Sequence, residues 1–285
     1  MNIELFCEDI AIQPVFSCFF EYYITDYLAI TNKITTFVLL EPAKPLYNAQ
    51  IGGSFFYYTY MKTSFAKPYS SPEQIVQILK SRGMLIKDEY KVEDYLMNIG
   101  YHRLSAYIYP FYKSPKSDLV LKEGTTFAQV LTLYRFDKRL RILLFNEIEK
   151  IEIAIRSILA NIRCQELNDR YWITKPEYFA NTEKFNLTLA IIEKELSSSK
   201  EDYIEDFRRN YIENYPPAWM ITEVLSFGNL NYIYSNISSN QLMKRIAGHF
   251  GLKPQVFTSW LTVLANLRNM CCHHARVWNR DFMLK

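Results

Sequence analysis

The sequence predicts an all-α protein, and three observations support this fold class. Apolar residues recur at steps of three and four from residue 130 to 159 and again from 261 to 271, which is the period of one buried helix face. Capping residues and glycines stand at the expected helix ends. The sequence contains no internal repeat, heptad run or glycine-rich phosphate loop. Together these features predict a helical bundle with helical insertions.

Local signals place the predicted helices in order along the chain. The run Ser71-Pro72-Glu73-Gln74 provides an N-cap, a proline at the first helical position and a capping box, and Gly83 is expected to end this helix. Residues 92–99 follow, closed by Gly100, and then residues 104–111, whose aromatic side chains either pack in the core or stack on bases. Further helices are predicted over residues 126–159, 182–196, 201–211, 217–227, 229–236, 241–248 and from 253 to 280.

The first 60 residues differ in composition from the rest. They are rich in phenylalanine and tyrosine, contain three prolines and a Gly-Gly pair, and lack a helical apolar stripe, so an irregular segment is predicted. Early acidic residues exclude a signal peptide, and Pro14, Glu21 and Asp26 interrupt the apolar run before the ~20 residues of a membrane span. Residues 1–66 are therefore either an atypical, strand-rich extension or partly translated from upstream of a true start at Met61. Residues 67–285 form the second predicted domain.

Charge and cysteine content narrow the class of protein. The net charge is +3, but residues 1–60 contain six acidic and two basic residues, so the remainder has a net charge of +7. A basic remainder suits nucleic acid without proving it. Five cysteines without regular spacing do not form a disulfide framework, so a cytoplasmic location without membrane attachment is predicted.

A polar cluster follows the apolar stripe of the last predicted helix. If that helix continues to its end, Asn269, His273, Arg276 and Arg280 fall at i, i+4, i+7 and i+11, on one face. Arg268 lies five residues before His273, about 140° around an ideal helix. Either the arginine side chain wraps sideways, or a second copy of the chain completes the site.

These residue types suit cleavage of a phosphodiester by its neighbouring 2′-hydroxyl. Histidine moves protons near neutral pH, and arginine offers a planar fork of donors to phosphate oxygens, so Arg276 and Arg280 are candidates for RNA binding. That reaction needs proton transfer and a cation near the developing charge, and it requires no metal or cofactor. Four consecutive residues, Cys271 to His274, cannot surround one tetrahedral ion, so no metal site is predicted. A purely structural role is the alternative, with His274 packed beside Trp278 and His273 solvated.

The long predicted helix contributes further candidates. Arg135, Lys138, Arg139 and Arg141 cluster on its early turns and either follow an RNA backbone or form a solvated face. Glu152 and Arg156, at i and i+4, either brace the last helix or form an ordinary intrahelical ion pair.

At these residues the sequence resembles a known family. Arg268-Asn269-Met270-Cys271-Cys272-His273 fits the signature of HEPN ribonucleases, in which an arginine and a polar residue precede a histidine by a three-residue gap. The longer run to Arg280 resembles the abortive infection family typified by AbiD and AbiF. The resemblance extends over residues 66–285 and includes three upstream blocks, at 95–111, 133–156 and 217–228.

The resemblance implies a HEPN-like helical bundle that acts as a toxin-like RNA endonuclease in phage defence. In this family His273 would be the general acid or base, Arg268 would hold the scissile phosphate, and Asn269 would orient the imidazole or bind phosphate. His274 would support the site. A homodimer is implied because two motifs face each other in such proteins, and an RNA or protein antitoxin is a further expected partner.

One departure from the family leaves another function open. Relatives continue beyond the asparagine and arginine pair with a basic, proline-containing stretch and further helices, whereas this chain stops at Lys285. The alternatives are therefore a truncated, inactive relative or a non-catalytic RNA-binding or interaction module.

Overall fold

The structure, a computed structural model, describes residues 68–280. The predictions for residues 1–66, including a start at Met61, lie outside this range. Within this range the chain forms ten α-helices and four short 3₁₀ helices. Its β-type backbone pairing is limited to three isolated bridges. The all-α prediction is confirmed for the described residues. None of their helices is both long enough and apolar enough to cross a bilayer.

The described residues form two compact units, and the boundary falls between Phe136 and Asp137. The N-terminal unit, residues 68–136, contains α1, Pro72–Ser81, α2, Glu89–Ile99, and α3, Tyr101–Ile108. The first helix begins with the predicted capping box, in which Ser71 and Gln74 satisfy each other's backbone amides. Gly100 joins α2 to α3 at a φ of 88°, which favours glycine.

The aromatic residues of the N-terminal unit divide between core and surface. Tyr107 and Tyr112 are buried, and Tyr107 packs edge-on against Tyr134. Of the two predicted roles, packing in the core therefore applies to both residues. Tyr109 is exposed over nearly half of its surface and lies under the ammonium group of Lys116.

Helix α4, Phe127–Leu167, crosses the unit boundary and begins with Thr126, whose side chain accepts the amide of Gln129. In the C-terminal unit its apolar face packs into the core through a buried stripe. That stripe comprises Leu144, Ile148, Ile151, Ile155 and Leu159. The observed helix therefore has the period that the sequence predicts and extends about two turns further.

Six more helices complete the C-terminal unit around this core. They are α5, Thr182–Ser198, α6, Asp202–Asn210, α7, Ala218–Val224, α8, Phe227–Ser235, α9, Asn240–His249, and α10, Pro254–Cys272. One predicted boundary was wrong, since Gly228 lies inside α8 and Ser226 provides the N-cap.

The predicted end of the last helix was also wrong. Helix α10 ends at Cys272, and the chain then turns, with His274 at a φ of 55° and Asn279 at 50°. This left-handed backbone conformation cannot continue an α-helix.

Candidate functional site

The polar cluster begins at the C-terminus of α10 and continues into the turn that follows. The amide of Ala275 donates to the carbonyl of Met270 at 2.9 Å, and the amide of His274 donates to that of Cys271 at 3.2 Å. These two bonds, with a left-handed residue between helix and exit, define a Schellman motif. His274 occupies the position that usually holds glycine.

The turn separates residues that the sequence placed on one face. Asn269 and His273 remain one turn apart, since the amide of His273 donates to the carbonyl of Asn269 at 2.9 Å. Arg276 and Arg280 lie beyond the helix, so the predicted four-residue stripe is wrong for this pair. Because the helix ends at Cys272, His274 and Trp278 are not one helical turn apart, and the predicted i, i+4 packing between them does not apply.

Arg268 belongs to a network of three charged side chains. Its Nε donates to Oε2 of Glu152 at 3.2 Å, and its Nη1 donates to Oδ1 of Asn269 at 3.2 Å. Oε1 of Glu152 binds Nη2 of Arg156. Glu152 is only 8% exposed, so one buried carboxylate holds two guanidinium groups.

Arg156 extends this network to a neighbouring helix. Its Nη1 donates to the carbonyl oxygens of Leu225 at 2.6 Å and Glu223 at 3.2 Å, and also to that of Thr222. These carbonyls end α7, where a helix presents unsatisfied acceptors and partial negative charge. Glu152 and Arg156 therefore connect α4, α7 and α10 through hydrogen bonds.

The network fixes one end of Arg268 and leaves the other available. Among residues 68–280, Arg268 Nη2 has no hydrogen-bond partner, and the side chain is 30% exposed. His273 is exposed at the helix C-cap. The ion pair directs Arg268 toward Glu152, and the structure shows no hydrogen bond between Arg268 and His273 within the described residues.

A second charged pair, missed by the sequence analysis, holds the turn after α10. Asp137 is completely buried, and its Oδ1 accepts the amides of Val277 at 3.1 Å and Trp278 at 2.7 Å. Its Oδ2 binds Nη1 of Arg141, which also donates to the carbonyl of Ala275 at 3.4 Å. The available signal was an oppositely charged i, i+4 pair in register with Leu144 and Ile148 on the buried stripe.

The predicted basic turn of α4 was wrong for Arg141, which is buried and paired with Asp137 and so is not part of an exposed basic face. The other three cations of that turn have two different environments. Arg135 belongs to the N-terminal unit, where its Nη2 donates to the hydroxyl of Tyr95 at 3.0 Å. Lys138 and Arg139 belong to the C-terminal unit and are exposed. Their contact with RNA stays a prediction.

The two cysteines beside His273 differ sharply. Burial raises the pKa of the Cys271 thiol to about 11, so this thiol is protonated at neutral pH and is a poor nucleophile. Cys272 is exposed. Across residues 68–280 no three histidine, cysteine or acidic side chains are grouped as metal ligands would be.

Comparison with known proteins gives one finding. A family model described as Abi-like protein matches residues 94–279, which is more than half of the chain. No curated protein and no solved structure matches the sequence.

Proposed function

The chain belongs to the Abi-like protein family, and on that premise we propose that it is an RNA endonuclease of an abortive infection system. Membership indicates a role in abortive infection. The ribonuclease activity, the HEPN character of the motif and a toxin-like action in phage defence are our proposal. They rest on the residues at the end of α10.

The observation that supports the activity best is the placement of Arg268. Buried Glu152 holds one edge of its guanidinium, and His273 follows about 7.5 Å further along the helix axis, at a rise of ~1.5 Å per residue. We propose that a phosphate bound by the other edge of Arg268 lies close enough to the exposed imidazole of His273 for proton transfer. Preorganised cations near a reacting phosphate stabilise the charge that develops there.

The reaction follows from the chemistry of these side chains. His273 removes the proton of the 2′-hydroxyl, or donates one to the departing 5′-oxygen, and Arg268 binds the phosphate oxygens. Asn269, which already contacts Arg268, orients the guanidinium or binds an oxygen. The products are a 2′,3′-cyclic phosphate and a 5′-hydroxyl, and no metal enters this route.

We propose that a homodimer forms the complete site. We assign one proton carrier, His273, to each motif, whereas the reaction uses both an acid and a base. A second copy facing the first would supply the other proton carrier. Light scattering on the eluting active fraction should therefore give the mass of two chains, and full activity in a verified monomer would contradict the dimer.

A cleavage assay with matched variants tests the proposed activity. Labelled RNA is incubated in chelator with the wild type, His273→Ala or His249→Ala, and the products are separated on a denaturing gel. His249 is also an exposed histidine of the C-terminal unit, at the end of α9, so its loss controls for removing an imidazole. Loss of a general acid or base should slow cleavage about 10²- to 10⁴-fold.

The outcomes separate the alternatives. Cleavage by the wild type and His249→Ala, with little by His273→Ala, supports the proposal, as does resistance of the same sequence in DNA, which lacks the 2′-hydroxyl. Equal cleavage by all three proteins contradicts the role of His273. If the wild type binds RNA with steep salt dependence but does not cut it, the protein is a non-catalytic RNA-binding module.

The exposed cations favour that module as the second candidate. Lys138 and Arg139 lie on successive positions of α4, and Arg280 follows α10. Such cations bind phosphates without requiring any catalytic group. We propose that an RNA or protein antitoxin would bind to these cations in either case.

A further inference from the structure

The turn after α10 is held at both of its ends. On the helix side, the Schellman bonds of His274 and Ala275 attach it to the last turn of α10. On the exit side, Asp137 and Arg141 bind the backbone of residues 275–278. His273 and His274 lie at the start of this turn and are exposed.

We infer that Asp137 and Arg141 are positioning residues for the candidate site, because they fix the turn on which the two histidines lie. The expected effect on RNA cleavage rests on the proposed function. The claim that these two residues hold the turn rests only on the geometry of the turn. Asp137 and Arg141 touch no reacting group. They act through the backbone of Ala275, Val277 and Trp278.

The energetics of buried charge support a positioning role. Asp137 and Arg141 have side-chain exposures of 0% and 7%, and an ion pair this deeply buried gains little over apolar side chains of similar size. Apolar side chains would provide no acceptor for the amides of Val277 and Trp278, which follow Asp137 by 140 and 141 residues. The pair therefore specifies a conformation more than it adds stability.

The backbone of His274 shows why an external restraint matters. A histidine at positive φ is uncommon, although it is less disfavoured than a β-branched residue. The bonds to Asp137 and Arg141 keep the exit segment in place and thereby hold His274 in this conformation. Without them, the helix end would be free to lengthen or fray, and the imidazole of His273 would move relative to Arg268.

Two double variants isolate the acceptor at position 137. Asp137→Leu/Arg141→Met removes both charges and the acceptor, whereas Asp137→Asn/Arg141→Met removes both charges but keeps a carbonyl oxygen for the two amides. Both avoid leaving an unpaired charge in the core, which favours folding. Circular dichroism and thermal unfolding of the full chain verify that each protein is folded.

A third double variant provides the matched control. Asp169 repeats the arrangement elsewhere in the unit, since it accepts the amide of Tyr171 at 2.9 Å and binds Nζ of Lys175. Asp169→Leu/Lys175→Met therefore removes a carboxylate that binds one amide, one cation and the hydroxyl of Tyr178, without touching the turn after α10. Its cleavage rate should stay within about threefold of the wild type.

Hydrogen exchange of peptides covering residues 274–278 measures the turn directly. The leucine and methionine variant should exchange these amides about tenfold or more faster than the wild type, because hydrogen bonds to a charged acceptor are lost. The asparagine and methionine variant should retain most of the protection. Protection of these amides at the wild-type level in the leucine and methionine variant overturns the inference, whether or not the protein cleaves RNA.

Cleavage at saturating protein measures the consequence for the site, because at saturation a weaker affinity for RNA does not slow the reaction. The leucine and methionine variant should cut about 100-fold more slowly, the loss expected from a misplacement of about 1 Å, and the asparagine variant should recover most of the rate. Unchanged cleavage with an unprotected turn overturns the inference. A wild type that does not cleave contradicts the proposed function instead, and exchange alone then decides the positioning role.

Discussion

Glu152 offers the most informative single change, Glu152→Gln. In the folded protein this carboxylate lies between Arg156 and Arg268, with side-chain exposures of 10%, 11% and 30% respectively. Glutamine has nearly the same shape but no charge. The substitution therefore leaves two guanidinium groups side by side without a counter-charge, and we expect both stability and the direction of Arg268 to change.

The expected loss of stability follows from this burial. Removing one member of a buried ion pair costs about 3–5 kcal/mol. The lower value applies here, because Arg156 keeps its bonds to the carbonyls of Glu223 and Leu225 and glutamine can still accept one bond. A loss of about 3 kcal/mol corresponds to a fall in Tm of about 6–12 °C for a protein of this size.

Urea and thermal unfolding of matched variants measure this loss. Glu149→Gln removes an exposed carboxylate from the same helix and should change stability by no more than about 0.5 kcal/mol. Combining Glu152→Gln with Arg268→Met should give a double-mutant coupling of about 0.5–3 kcal/mol. Two results would show that Glu152 does not hold Arg268. One is a loss of unfolding free energy in Glu152→Gln no larger than that in Glu149→Gln. The other is a double variant whose loss equals the sum of the losses in Glu152→Gln and Arg268→Met.

Three further predictions concern other parts of the chain. Iodoacetamide at pH 8 should label exposed Cys272 well before Cys271, whose pKa burial raises to about 11; peptide sequencing by mass spectrometry reads both sites, and equal labelling would contradict the buried placement. Burial acts to raise the pKa of Asp169, but hydrogen bonds from Lys175 and the Tyr171 amide outweigh it and lower the pKa. The stabilisation by Asp169 should thus be present above pH ~4 and lost as pH falls through the lowered value, so the difference in urea midpoint between wild type and Asp169→Asn should vanish in acid. Ser71→Ala should cost about 1 kcal/mol through loss of the capping box, and an unchanged unfolding midpoint would refute that role.

Much of the fold could be predicted from the sequence because its signals are local. The capping box at Ser71, the glycine at position 100 and the apolar stripe of α4 all act within one or two helical turns. Such signals fix where helices begin and which face is buried. The misplaced boundary at Gly228 shows the limit, since the N-cap of Ser226 had a stronger effect than the glycine.

The site was only partly predictable because its decisive contacts are distant in sequence. Nothing between Cys272 and Arg280 resembles a helix stop, since a histidine occupies the left-handed position that glycine usually marks. The turn depends on Asp137, 140 residues before Val277. The pairing of Glu152 with Arg268, across 116 residues, was inferred only as a possible brace of the last helix.

These long separations have a consequence for synthesis of the protein. Helix α4 can form from local signals as soon as it leaves the ribosome, but its buried charges at Asp137, Glu152 and Arg141 find their last partners in residues 268–278. A nascent chain therefore contains the arginines and carboxylates of the network without their final arrangement. The end of α10 becomes ordered only after translation has passed Trp278, so the site is assembled well after α4 has been synthesised.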